Sequence, residues 1–360
     1  MLQFFTGTQF TTSMELGLLY GLVALALYIS FGLLKIADLS TDGCFTLGCA
    51  VGASMTVAGH PFLALPAAMA AGILSGYVTA FLQTRLGVES ILAGIIVNTG
   101  LYTINFLAMG SSSNLNIFGS DTIFSLAKGV SSAGWYRKLF TLIILLCIVL
   151  VICFILHWFL NTTLGLSIRA TGDNENMVRA SSVNPAFTIT VGLCISSALT
   201  ALSGALLAQY QKSCDINFGT GQVTIALASL MIGETLVRRG SIFKRTIGVI
   251  LGSCLYRLIV AIAMKFNMPA EFLKLASALI VTAAIVIPYI KDKAAFYRRR
   301  MSRGNRPEND RRQRTLHADT LYTDTLHADT RLQCKDRMIH HGIYASDRPC
   351  YKNLQSRDSQ

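Results

Sequence analysis

Between Leu164 and Pro185 the chain gathers Arg169, Asp173, Asn174, Glu175, Asn176 and Arg179, within a first 290 residues that are otherwise apolar. A helix through Asn174–Ser182 would put Met177, Val178 and Ser181 on or near one face, with Arg179 beside it. A short amphipathic helix of that kind fits a groove on another protein; a helix lying passively at a membrane surface is the alternative. Chemistry on a bound substrate is not expected. The sequence has no G-x-x-x-x-G-K-[ST] run to cradle ATP phosphates, no H-E-x-x-H and no G-x-S-x-G. Nor do paired carboxylates fall within an apolar stretch, so a catalytic pair is missing, and no cofactor and no metal site are expected.

A few ionisable or polar groups do lie inside apolar runs. Arg257, in Leu255-Tyr256-Arg257-Leu258, either lines a solute pathway or snorkels from near a helix end. Glu234 precedes Arg238 by four residues, the spacing and order of a local ion pair on a helix. Glu15 is expected to mark a helix start. Asn98, Thr99, Thr103 and Asn105 make one apolar run unusually polar. They either bond across helices or line a water-filled path. Cys44, Cys49, Cys147, Cys153, Cys194 and Cys254 sit in apolar runs as small hydrophobes, with no Cys-x-x-Cys and no zinc spacing.

The elements that must position these groups follow from composition. Hydrophobic residues make up 52% of the chain and charged ones 14%, against about 25% charged in soluble domains. The solvent of most of this chain is therefore lipid. Spans are expected near 14–36, 43–59, 62–83, 90–109, 138–161, 187–210, 222–238, 245–264 and 272–290, about nine in all. The fold class is an all-α polytopic helical bundle. Gly17/Gly21, Gly48/Gly52, Gly72/Gly76 and Gly248/Gly252 are small-residue pairs that let helix backbones approach closely in lipid. The first run lacks a basic flank and a cleavage site, so it reads as a retained span.

Charge sets the expected orientation. Lys291, Lys293 and Arg298–Arg300 place the C-terminus inside, and with it the loops at Arg238, Arg169, Arg85 and Lys35. The N-terminus, Lys212, Lys265 and the Gly110–Trp135 segment then lie outside, with Arg137 and Lys138 as the outside charges that do not fit. The +12 net charge is partly an arginine-rich run from Arg298 to Arg314 beside membrane segments, which argues topology rather than nucleic-acid binding. From 298 to 360 the chain turns basic and then repetitive: TLHAD, TLYTD, TLHAD over Thr315–Asp329. That repeat is too polar to fold, and His317 and His327 are too far apart in it to suggest a metal. Residues 1–297 are the expected transmembrane domain.

The run Gly165, Arg169, Ala170, Gly172, Asn174 and Ala180 resembles the coupling segment, here 164–185, of permease subunits of bacterial ABC importers for branched-chain amino acids, ribose and related solutes. Asp38-Leu39-Ser40 with Gly43 and Leu47-Gly48 resembles that family's D-L-S…G segment, and Gly204, Ala205 and Ala208 its Ala/Gly-rich span. Ile91–Ile95 and Leu255–Ile259 are similar to a less characterised subgroup linked with amino-acid-like solutes. The resemblance covers roughly 10–295 and departs at Ser182, where the family usually has Gly. It implies a type II importer permease in the bacterial plasma membrane, without an energy source of its own. Its implied partners are cytoplasmic ATPase subunits, an extracytoplasmic solute-binding protein and a second permease, either another copy in a homodimer or a close relative. Gly165, Arg169, Ala170, Gly172, Asp173, Asn174, Met177 and Ala180 would couple to the ATPase, and Asn98, Thr99, Asn105 and Arg257 would line the pathway. A stand-alone secondary transporter with a solute site near Arg257 and Asn98 is the rival reading, and an intramembrane enzyme a weaker one.

Overall fold

The computed structural model describes residues 7–129, 134–237 and 241–265, and isolated positions between 275 and 293. The chain divides into Met1–Tyr289 and Ile290–Gln360; all contacts below lie in the first unit. Most of the ninth expected span, the 298–360 tail and Arg238 lie outside the described residues.

Helix α1 (Gly7–Leu27) runs into a π-helical turn (Tyr28–Leu33). There follow α2 (Thr41–Val57), α3 (Ala64–Thr84) and α4 (Ser90–Ala108), then strand β1 (Asn114–Asn116), α5 (Ile123–Gly129) and α6 (Gly134–Leu160). Two short helices, α7 (Thr163–Asp173) and α8 (Glu175–Ala180), lead to α9 (Pro185–Gln211), β2 (Ser213–Asp215), α10 (Gln222–Leu236) and α11 (Ile242–Lys265). Among the described residues six helices are long and apolar enough to cross a membrane: α1 with its π-turn, α3, α4, α6, α9 and α11. In α1 and α9 83% of the apolar window is buried, against 28–33% in the other four, so this pair forms the centre of the bundle.

Lipid supplies no hydrophobic force between helices, so close approach and interhelical bonds must hold the bundle. The small-residue pairs are where that approach happens. A Cβ on Gly48 would overlap the Ala201 carbonyl of α9, and one on Gly52 would lie 2.7 Å from Ala205 Cβ. Gly72 and Gly76 of α3 meet Ser197 and Leu193 of α9, Gly17 meets Cys254, and Gly252 meets Ser229 and Gly233. Buried hydroxyls then donate across the gaps: Ser196 to Ala26 O (2.8 Å), Ser203 to Leu19 O (2.6 Å) and Ser253 to Gly17 O (2.8 Å). Cys44 and Cys49 do likewise, to Ser197 O (3.3 Å) and Gly204 O (3.1 Å), so these thiols are weak donors as well as small hydrophobes. Glu15 is not at a helix start: it is buried in α1 and accepts the Tyr210 hydroxyl at 2.7 Å.

Two expected spans are shorter than a crossing. At 1.5 Å per residue α2 is about 25 Å long and α10 about 22 Å, below the ~30 Å hydrocarbon core. Gly43, in the first turn of α2, lies against Asn98 and Leu101, half-way along α4. Cys214 of β2 touches Met109 at the end of α4 (3.9 Å), yet Gly221, just before α10, is bonded to Asp42. The segment between β2 and α10 therefore turns back from the end of α4 to its middle. There the first turns of two short helices meet. Irregular backbone at that depth requires internal partners, and Asp42 provides them, accepting Gly221 N–H (3.0 Å) and Val223 N–H (2.9 Å). At the hairpin end, β1 pairs antiparallel with β2, Leu115 opposite Cys214. Buried Gln209 ties this end together through Ile123 N–H, the Thr56 hydroxyl and Pro61 O.

Candidate functional site

Two sites emerge, one at each end of a short connector. The first is the α7–α8 segment. Thr162 caps α7 by accepting Gly165 N–H, and Gly165 is buried where a Cβ would lie 2.5 Å from Leu160 Cα. This close approach folds α7 back against the end of α6. Ile168 and Thr171 turn into the bundle, where the Thr171 and Thr188 hydroxyls are 2.8 Å apart. Gly172 rests on the Leu33 carbonyl at the end of the π-turn, with no room for a Cβ. Asp173 pairs with Lys35 at 3.0 Å, across exposed side chains.

Asn174 caps α8 through Met177 N–H (3.2 Å), and Glu175 pairs with Arg179 at 3.0 Å. Helix α8 is shorter than the expected Asn174–Ser182, and its face divides differently. Val178 is buried at 5% exposure while Met177 stands out at 69%. Ala170, Asp173, Asn174, Met177, Arg179 and Ala180 are exposed, and Arg169 is half-buried. Arg169, Arg245 and Glu234 cluster around the Tyr28 hydroxyl. Among the described residues Arg245 of α11 is a cation near Glu234; the expected partner Arg238 lies outside them. Ser182 stands at φ 61°, in the left-handed region that favours glycine.

The connector is 34–40, between Gly172's contact and the first turn of α2. Asp38 is buried in it, its Oδ1 accepting Ser40 N–H (2.9 Å) and the Ser40 hydroxyl (2.6 Å). Burial raises the Asp38 carboxyl above the usual carboxylate range, and the two Ser40 bonds partly offset this. Gly94 of α4 admits the chain here, since a Cβ would lie 2.8 Å from Leu39 N.

The second site is a cavity of about 270 Å³ where α2, α4 and the α10 approach meet. Asn98, Thr99, Tyr102 and Asn105 line it from α4, Asp42, Gly43 and Thr46 from α2, and Asn217, Gly219 and Thr220 from the returning segment. Asn105 donates to Gly43 O at 3.1 Å, and Thr99 to Ile95 O at 2.9 Å. Of the four expected pathway residues, Asn98, Thr99 and Asn105 come together here. Arg257 does not: its guanidinium stacks 3.6 Å over the Tyr20 ring on α1, a cation–π contact. Tyr20 in turn stacks on Phe45. Asp42, Thr46 and Tyr102 went unnoticed in the sequence. Tyr102 is four residues from Asn98 and three from Asn105, so helical spacing alone puts it on their face.

The family model described as "Branched-chain amino acid transport system / permease component" matches residues 10–287. The chain belongs to this permease family. A tyrosine transport system permease protein of Clostridioides difficile is 32% identical over 271 residues, 75% of this chain and 88% of the relative. The ribose import permease protein of Haemophilus influenzae is 23% identical, over 69% and 75% of the two chains. The autoinducer 2 import system permease protein of Escherichia coli is 26% identical, over 78% and 81%. No solved structure matches. The permease is thus a multi-pass, all-α membrane subunit of an ABC importer rather than an enzyme, and works with ATPase and solute-binding partners. The stand-alone transporter reading is not favoured.

Proposed function

We propose that the permease is driven at α7–α8 by its ATPase subunits and carries its solute past the α2–α4–α10 cavity. The observation that supports this most is the backbone contact of Gly172 with Leu33. A push on exposed Ala170, Met177 or Ala180 would pass through that contact to 34–40, and so to Asp42 at the cavity. Gly165 and Asn174 shape the lever, Arg169 and Asp173 tie it to the bundle, and motion of this kind would switch the side on which the cavity opens.

The α7–α8 end is then cytoplasmic, the N-terminus outside and the C-terminus inside. The Lys35–Asp173 pair and the closeness of Arg169 and Arg245 to Tyr28 support one shared side for these loops. The membrane is the bacterial plasma membrane. Thr99 and Tyr102 stand exposed on α4 where the cavity opens, which supports closure by a second copy in a homodimer rather than by lipid. The solute is a small organic molecule, an amino acid, as the name of the Clostridioides difficile relative suggests. Arg257 then acts on helix packing at α1 rather than on the solute.

The test is co-purification with the cognate ATPase. Met177→Asp with Ala170→Arg changes only exposed side chains of the lever. Loss of ATPase association at unchanged permease stability is expected. Full association of that variant would refute the assignment of this face.

A further inference from the structure

The cavity sets one carboxylate and one unsatisfied amide oxygen among neutral amides and hydroxyls. Asn105 is 1% exposed, and its Nδ2 is committed to Gly43 O. This fixes the amide's orientation and leaves Oδ1 buried with no hydrogen-bond partner among the described residues. A buried acceptor left so is costly, and its presence points to a donor arriving from a ligand. Asp42 adds a carboxylate, whose two bonds to Gly221 and Val223 leave lone pairs unused. The described lining holds no lysine, arginine or histidine to balance it. The N–H groups at the start of α10, which would otherwise suit an anion, are occupied by Asp42 itself.

We propose that this cavity is a subsite for the ammonium group of a primary amine, held by Asp42 and Asn105 Oδ1 beside the Tyr102 ring. The inference rests on the reading of the cavity as part of the solute path, and it narrows the solute to one that presents a protonated amine there. An ammonium has three donors and no acceptor, which matches the unsatisfied groups in kind. The ring face of Tyr102, exposed at the rim, adds an attraction for a cation. A carboxylate placed at the same point would face Asp42 with no counter-charge. In an amino acid the α-carboxylate must therefore lie outside this subsite.

The experiment uses the whole permease with its ATPase in lipid nanodiscs, carrying Thr99→Cys as a reporter at the cavity rim. Maleimide modification is read by mass spectrometry of the peptide that contains position 99, which separates it from the native cysteines. Tyramine and 3-(4-hydroxyphenyl)propionate are the probes, alike in their ring and differing in ammonium against carboxylate. Tyramine is expected to slow modification at millimolar concentration, and the propionate is not. Asp42→Asn is expected to raise the tyramine concentration for half-protection at least about tenfold, as loss of a charge-assisted bond implies. Equal protection by both probes, protection by neither, or protection by the propionate alone would overturn the proposal. So would unchanged tyramine protection in a folded Asp42→Asn protein. If that variant does not fold, the contrast between the two probes on the reporter protein with Asp42 intact still decides. ATPase association is measured on the same samples, so failure of the amine subsite is distinguishable from failure of the coupling assignment.

Discussion

Replacing Gly172 by alanine tests whether α7 works as a rigid lever. In an open helix the change gains about 1 kcal/mol, because alanine loses less backbone entropy than glycine. At Gly172 the new methyl would overlap the Leu33 carbonyl oxygen and lie 2.9 Å from Leu34 Cα. Both are backbone atoms, so no side chain can rotate aside, and α7 must lift off the π-turn by several tenths of an ångström. Overpacking of that kind costs about 1–3 kcal/mol, which cancels the helix gain or exceeds it. Gly100 of α4 is the control, with nothing within 4 Å of its would-be Cβ. Gly100→Ala should then stabilise by up to about 1 kcal/mol, so that the two variants differ by about 1–3 kcal/mol. Thermal unfolding of the purified permease gives the first readout, and ATPase stimulation by the loaded solute-binding protein the second. Gly172→Ala should bind the ATPase through its unchanged exposed face yet respond less to solute. Equal thermal shifts in the two variants, with stimulation intact, would show that the contact with Leu33 transmits nothing.

Three other outcomes follow from local geometry. Ser182→Gly should stabilise by about 1 kcal/mol, since a non-glycine residue is held there at φ 61°; a thermal scan showing a loss would refute the strain argument. Asp38→Asn keeps an acceptor for Ser40 N–H and removes a buried charge, so stability should hold or rise; Asp38→Ala orphans that N–H and should cost about 1–3 kcal/mol by the same scan. Gln209→Leu strips partners from Ile123 N–H and Pro61 O at the hairpin end and should also cost about 1–3 kcal/mol, with protease sensitivity rising near 110–123. An unchanged unfolding temperature there would mean water replaces the amide.

What the sequence made legible was periodic, and what it hid was reach. Glycines four apart announced close helix contacts, and each pair does meet another helix. Ser182, the position where the resemblance led to an expectation of glycine, stands in the left-handed region that favours glycine. The Met177–Val178 face was misjudged because α8 is only 6 residues long. In so short a helix, contact with α9 rather than sequence period decides which side is covered. The lengths of α2 and α10 were hidden for a different reason. An apolar run of 15 to 17 residues looks like a tight crossing, and hydropathy says nothing of the depth at which a helix begins.

Arg257 and Asp42 show why charge alone misleads in a membrane chain. Both are ionisable groups within apolar surroundings, and each invites a functional reading. Arg257 has a long stem and a flat head, so it reaches a local contact on the Tyr20 ring of α1, while its Nε stays buried with no hydrogen-bond partner among the described residues. Asp42 has a short stem and must be met by its partners. They come from Gly221 and Val223, about 180 residues further along the chain, a separation no local pattern exposes. That distance is also what gives Asp42 its leverage. It joins the first turn of α2, next to the connector that rests on Gly172, to the start of α10, and both borders of the cavity are held by one carboxylate. A shift of either short helix must therefore alter the acceptor that Asp42 presents to the cavity, so that the lever and the solute are felt at the same side chain.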